Sequence, residues 1–223
     1  MDLAPGDIDS AYAVQEATVA RLGGEGAWKT SVGREEDVCS PIPADCVFAS
    51  GHRFDAGLWR GPRLEVEVGV VLRSDLGAGP RPWTAESVLP AIGDLVPVLE
   101  IATSRFIDRM AVSPLTVIAD LQNNEAIVQG AGVPFSEVEL AAFSAVLEID
   151  GEVRPEASPR RQHSSREVVV SLAGLANHAI ARGRPLRAGV LVILGARLMP
   201  VPIRPGTHAV ATIEAVGRVE AMF

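Results

Sequence analysis

The stretch from Leu64 to Phe106 constrains this chain more than any other. It opens with Leu64-Glu65-Val66-Glu67-Val68 and later carries Leu95-Val96-Pro97-Val98-Leu99-Glu100-Ile101. Successive side chains of a strand point to opposite faces, so Glu65 and Glu67 share one face and Leu64, Val66 and Val68 the other. Glu100 lies inside an apolar run, where an unpaired carboxylate is very costly to bury. It must reach water, a partner or a metal. Three carboxylates on two apolar segments make an oxygen-rich set suited to a hard divalent cation such as Mg²⁺. The same residues fit a plainer reading. Glu-x-Glu is also the pattern of a solvated strand face, and Glu100 could pair with Arg105.

The rest of the composition narrows the field. At 223 residues and 48% hydrophobic, the chain can bury a sizeable core as one large domain or two small ones. A net charge of -8 argues against a nucleic-acid binder that relies on broad phosphate contacts. Two cysteines, Cys39 and Cys46, make neither a disulfide framework nor a zinc site, and a reduced, cytoplasmic setting is expected. The first residues lack a basic and then apolar leader, and no apolar run reaches membrane-spanning length.

Lys29 is the only lysine among the 20 Lys+Arg residues; the others are arginine. An ammonium can give up its proton when its pKa is depressed, whereas a guanidinium does not. Lys29 is therefore a candidate for chemistry that arginine cannot perform, against the alternative that one lysine survives by chance.

Along the chain, residues 7–22 read as a helix capped by Asp7, with Ile8, Ala11, Tyr12, Val19 and Leu22 on one face and Gly23-Gly24 ending it. Residues 28–32 read as a short strand that carries Lys29. Residues 33–62 read as a loop region with one short apolar element at 46–49. Residues 64–72 form a strand. Residues 84–96 read as a helix capped by Thr84, kinked or short because of Pro90 and Gly93. Residues 98–102, 116–120 and 126–129 read as strands, with a turn at 122–124. Asp150-Gly151 marks a hairpin. A helix runs from Ser164 or Ser165 to about Ala181, with Gly183 as its stop. Residues 188–194 form an apolar strand, 200–206 a turn, and 207–219 one or two last strands. Strands outnumber the three helices, so the expected class is α+β in a single domain, residues 1–223.

Several of these segments, in this order, resemble the 2-keto-4-pentenoate hydratase family, which includes 4-oxalocrotonate decarboxylases and lies within the fumarylacetoacetate hydrolase superfamily. Ala11-Tyr12-Ala13-Val14-Gln15 resembles the family's N-terminal helix, and Lys29 lies in a segment similar to its lysine-bearing strand. Glu65-Val66-Glu67 and Leu99-Glu100-Ile101-Ala102-Thr103-Ser104-Arg105 are similar to its two carboxylate segments. Ile118-Ala119-Asp120, Leu186-Arg187-Ala188-Gly189 and Gly217-Arg218-Val219 complete the pattern, which runs from Ile8 to Phe223. No one motif is specific; their order and spacing together are.

The resemblance implies a mixed, rolled β-structure like the fumarylacetoacetate hydrolase C-terminal domain, with about three flanking helices. It implies that Glu65, Glu67 and Glu100 bind Mg²⁺ or Mn²⁺. It makes Lys29 the acid/base or electrostatic residue, with a pKa lowered toward neutrality by partial burial and the metal. It places Asp120, Gly195 and Ala196 at substrate-binding positions. The implied activity is hydration of a 2-hydroxy-2,4-dienoate to a 4-hydroxy-2-oxo acid in aromatic catabolism. The implied partners are that small acid and other copies of the chain, in a homo-oligomer, or a decarboxylase or hydratase partner subunit. Alternatives on the same site are a 2-oxo-acid decarboxylase, a C–C bond hydrolase or a non-catalytic homologue. The chain also departs from the family pattern. Ser50 stands where an aspartate is expected, Val190 replaces the aspartate of a Gly-Asp pair, and Leu121 replaces an asparagine. Leu194-Gly195-Ala196 replaces a Thr/Ser-Gly-Ser turn.

Overall fold

The structure, a computed structural model, describes residues 4–31, 38–55, 57, 59–77, 79, 81–135, 144–155, 157 and 164–223. The helices are α1 (Ile8–Arg21), α2 (Ala85–Val88), α3 (Pro114–Ala119) and α4 (Ser165–Ala181). The first strands are β1 (Glu25–Thr30), β2 (Cys39–Pro43), β3 (Val47–Ala49), β4 (His52–Arg53), β5 (Arg63–Leu72), β6 (Ile92–Ala102) and β7 (Asn124–Gln129). The remainder are β8 (Val133–Pro134), β9 (Ala145–Ile149), β10 (Glu152–Val153), β11 (Leu191–Ala196), β12 (Val201–Pro202), β13 (His208–Ile213) and β14 (Gly217–Met222).

These strands make two sheets. The larger runs β2-β1-β11-β5-β6-β7-β3, with β12 joining β5 and β8 joining β6; the smaller runs β10-β9-β13-β14-β4. Both are mixed. β1 and β11 are parallel, as are β3 and β7, and β14 and β4. The class is α+β with a mixed β-structure, as the sequence implied.

The centre is the antiparallel pair β5–β6, in register from Arg63 opposite Ala102 to Leu72 opposite Ile92. Leu64, Val66, Val68 and Val70 are fully buried on one face. They join Leu99, Ile101, the apolar stripe of α4 and the inner face of the smaller sheet in the main core. The opposite face carries a smaller apolar cluster of Ala27, Ile42, Val96, Val98, Ile127, Leu191 and Ile193. Pro97 sits mid-strand without cost to the ladder. Its carbonyl accepts from Gly130 N–H at 2.8 Å, so its nitrogen faces the break between β7 and β8, where no donor is needed.

Local signals explain the helices. Asp7 accepts from Ser10 N–H at 2.7 Å and caps α1. Ser164 and Glu167 form a reciprocal capping box on α4. The polar interruption Gln15 is buried, and its amide donates to Ile118 O at 2.5 Å, which ties α1 to α3.

Three sequence expectations are corrected. The strand expected at 116–120 is α3: Ser113 caps it, Pro114 fills its first position, and docking on α1 overrides the β-branched run. The helix expected at 84–96 lasts only through α2 and a 3₁₀ turn at Leu89–Ala91 before β6 begins. Pro90 and the pairing of Ile92 with Leu72 end it. The loop expected at 33–62 contains β2, β3 and β4. The prolines of β2 are tolerated because β2 is an edge strand. Residues 32–37 and 136–143, which belong to the expected lysine strand, loop and hairpin regions, lie outside the described residues. The hairpin itself is present, with β9 pairing β10 across Asp150-Gly151.

Candidate metal centre

The sheet register brings the charged residues to one face. Lys29 lies level with Ile193, Ile193 with Gly69, and Glu65 is directly opposite Glu100. Alternation puts Glu67 on the same face as Glu65. Lys29 Nζ is ion-paired with Glu100 Oε1 although β11 and β5 intervene between their strands. In a flat sheet those strands would lie three spacings of about 4.8 Å apart. The sheet must curl to bring these two side chains together, and this is its concave face.

One ligand atom from each of Glu65, Glu67 and Glu100 lies within 4.8 Å of the others. Glu100 is fully buried and Glu67 nearly so, while Glu65 is partly exposed. The solvated-face reading of Glu-x-Glu is thus corrected for Glu67. The Glu100–Arg105 pair is corrected too, because Arg105 binds Asp120 at 3.2 Å and Glu125 at 3.1 Å instead.

Two of the three carboxylates are held by defined donors. Asn124 Nδ2 donates to Glu100 Oε1 at 2.9 Å. Gly195 N–H donates to Glu67 Oε2 at 3.0 Å. Gly195 adopts φ of +94°, a left-handed conformation that favours glycine. Ala196 lies opposite Glu67 in the β11–β5 register and lines the same face.

The electrostatics of the cluster are unfavourable without a cation. Like charges directly opposite in a sheet repel, and Glu65 and Glu100 are so placed. Burial pushes Glu67 well above the usual carboxylate range, the charges of Glu100 and Glu65 push it further, and Lys29 pulls it down. Glu100 Oε2 is enclosed and has no hydrogen-bond partner. Oxygen atoms on opposite sides of a bound ion are about 4.2 Å apart for Mg²⁺ and about 4.8 Å for Ca²⁺. An all-carboxylate set of this spacing, with an enclosed free oxygen, fits a hard divalent cation.

Lys29 sits among all three carboxylates. Burial lowers its pKa, but the charges of Glu100, Glu67 and Glu65 outweigh burial and raise it above the ordinary lysine value. In the cluster without a cation, Lys29 is a firmly held ammonium.

Asp120 is not in the cluster. Its carboxylate accepts from Arg105 N–H and Nη1, both at 3.2 Å, and it lines a cavity of about 270 Å³ with Val14, Thr18 and Phe106. Arg105 also donates to Asn124 O at 3.1 Å, so Asp120 reaches the carboxylates only through Arg105 and Asn124. Ser50 is exposed and its hydroxyl accepts from Glu220 N–H at 3.0 Å. His52 is stacked on Phe48 at 4.0 Å, among Phe54, Trp59 and Phe223. Among the described residues, the cluster thus has no histidine of the kind a hydrolase would use to activate water.

Sequence reasoning missed Asn124 and Arg197. Asn124 follows Leu121, Gln122 and Asn123, three successive residues with φ of +54°, +53° and +59°. Non-glycine residues seldom adopt this conformation, and the Gln-Asn-Asn run was the only trace of it. Arg197 is 4% exposed beside Glu67, with nothing in its sequence neighbourhood to mark it.

No protein-family model matches the chain. It is 30% identical over 233 residues to the 2-keto-4-pentenoate hydratase of Paraburkholderia xenovorans (strain LB400), covering 97% of this chain and 84% of that protein. It is 28% identical over 235 residues to 2-keto-4-pentenoate hydratase 1 of Dechloromonas aromatica (strain RCB), covering 99% and 88%. Its fold is similar to that of 4-oxalocrotonate decarboxylase from Pseudomonas putida G7, complexed with magnesium and adipate. That match has a TM-score of 0.80 at 24% identity and covers 97% of this chain and 84% of that one.

Proposed function

The chain belongs to the 2-keto-4-pentenoate hydratase family, a family of lyases, and from that premise we propose that it is a divalent-metal-dependent hydratase. Its substrate is a 2-hydroxy-2,4-dienoate and its product a 4-hydroxy-2-oxo acid. The observation that carries this reading is the convergence of Glu65, Glu67 and Glu100 with the ion-paired Lys29 on one concave face. Glu65, Glu67 and Glu100 would hold the ion. Magnesium in the solved 4-oxalocrotonate decarboxylase supports a divalent cation here.

When bound, such an ion supplies a Lewis acid for the carboxylate and 2-oxo oxygens of a 2-oxo acid. The chain's own residues do the rest. Gly195 N–H and Asn124 Nδ2 fix the orientation of Glu67 and Glu100. Lys29 carries the proton traffic. The 2-hydroxyl loses a proton and C5 gains one, giving an unsaturated 2-oxo acid. Water then adds at C4, loses a proton, and C3 gains one. A firmly protonated Lys29 donates to C5 and is replenished by the 2-hydroxyl proton, then donates to C3 and is replenished by the added water.

The same face could instead lose CO₂ from a 2-oxo dicarboxylic acid, because both reactions develop negative charge on the 2-oxo group. The similarity to a decarboxylase fold favours keeping that second reading. An ultraviolet assay separates them. Purified protein is given 2-hydroxypenta-2,4-dienoate with and without Mg²⁺, beside Glu67→Ala. Metal-dependent loss of the dienol signal, with 4-hydroxy-2-oxopentanoate formed and the variant silent, establishes the hydratase. No turnover by a protein that binds metal transfers the assignment to the decarboxylase, tested next with 4-oxalocrotonate.

A further inference from the structure

Arg197 follows the turn at Leu194-Gly195-Ala196 where the chain departs from the family pattern. Its backbone N–H donates to Val66 O at 2.7 Å, next to Glu67, and the residue is 4% exposed. Burial pushes its pKa down and the charge of Glu67 pushes it up. Arg197 makes no ion pair among the described residues, and its Nε and Nη2 are enclosed with no hydrogen-bond partner. Those two nitrogens form one edge of the guanidinium, the edge that binds a carboxylate through two parallel hydrogen bonds. A guanidinium stays charged at any pH of interest, and an enclosed, unpaired one is very costly. An arriving anion would supply the missing acceptors.

We propose that Arg197 is a substrate-binding residue whose Nε–Nη2 edge clamps a carboxylate of the organic acid. This rests on the reading of the neighbouring cluster as a 2-oxo-acid site. The acceptor is the carboxylate beside the 2-oxo group, or a second carboxylate at the far end of a dicarboxylic acid. The chemistry of the clamp is the same for both. The clamp makes Arg197 a specificity-determining residue that a leucine could not replace.

The test uses two saturated probes that cannot be hydrated, 2-oxopentanoate and 2-oxohexanedioate. Their binding to Mg²⁺-loaded protein is measured by calorimetry for the native chain, Arg197→Leu and Arg197→Lys, with Mg²⁺ affinity measured separately. Arg197→Leu should bind Mg²⁺ and lose affinity for acid by about tenfold or more. Loss for both acids assigns the clamp to the carboxylate beside the 2-oxo group. Loss for the dicarboxylic acid alone assigns it to the far one. Arg197→Lys should fall between, because it keeps the charge and loses the fork. Melting of ligand-free Arg197→Leu should occur no lower than that of the native chain, because an unpaired buried charge has gone. Unchanged affinity for both acids would overturn the proposal, as would a marked drop in melting temperature, which would make Arg197 an internal counter-charge to Glu67. A native chain that binds Mg²⁺ but neither acid would overturn the 2-oxo-acid reading itself, and the clamp with it.

Discussion

Gly195 donates its backbone N–H to the carboxylate of Glu67 at 3.0 Å, across 128 residues of sequence. The donor is aimed by a left-handed backbone, φ +94°, that a side chain strains. An N–H placed this way stabilises the charged form of a carboxylate that burial otherwise drives toward its acid.

Gly195→Ala is therefore expected to cost about 1–2 kcal/mol of stability and to weaken the hold on Mg²⁺. There is open space around the new Cβ, so the penalty is conformational rather than steric. Urea midpoints and metal titration check this. An unchanged Mg²⁺ affinity would remove the N–H from the account of Glu67.

Lys29→Met separates charge from chemistry. Losing the ammonium removes a positive neighbour of three carboxylates, so Mg²⁺ affinity should hold or rise. Turnover should fall by about 100-fold or more, the scale of a general acid–base contribution. Without metal, the variant leaves Glu100 unpaired and should be less stable by about 3–5 kcal/mol. Turnover near the native rate would mean that Lys29 is only a counter-ion.

The ion-free protein should lose stability as pH rises. Glu67 has a folded pKa above its unfolded one, so its contribution is fully present below about pH 4.3 and is lost as pH climbs through the raised value. A cation binds the deprotonated carboxylates, so the melting-temperature gain from saturating Mg²⁺ should grow over that same window. Glu67→Gln should flatten both trends. A Mg²⁺ gain that does not vary with pH would contradict the assignment of Glu67 as the titrating ligand.

Asp120 is expected to act as a brace. Asp120→Asn and Asn124→Ala should each lower affinity for the metal, and the double variant should lose less than the sum, because Arg105 connects them. Strict additivity of the two losses would return Asp120 to an independent substrate-binding role.

Much of the site was legible because a strand writes its faces into alternate residues. Glu65 and Glu67 could be assigned to one face, and the apolar run around Glu100 marked it as a carboxylate needing a partner. The β5–β6 and α4 segments were legible for the same reason, each carrying its own period or cap. The misreadings lay where tertiary contact decides. Thr116, Val117 and Ile118 favour a strand locally, yet Ser113 and packing on α1 make them helical. Arg197 reached the site through a turn with no pattern of its own.

The parallel pairing of β1 with β11 joins Ala27 to Leu191, far apart in the chain. β5 and β6 meet over a much shorter loop. Pairing that closes a long loop carries a larger entropic cost and tends to come later in folding. A folding transition state with β5–β6 formed and β1–β11 open would hold the three carboxylates without the counter-charge of Lys29. The Mg²⁺ binding energy of those carboxylates would then already be present in the transition state and would appear in the folding rate, not the unfolding rate. Mg²⁺ should speed refolding in stopped-flow experiments while leaving unfolding nearly unchanged, making the ion an early clamp on a structure whose β1–β11 pairing closes later.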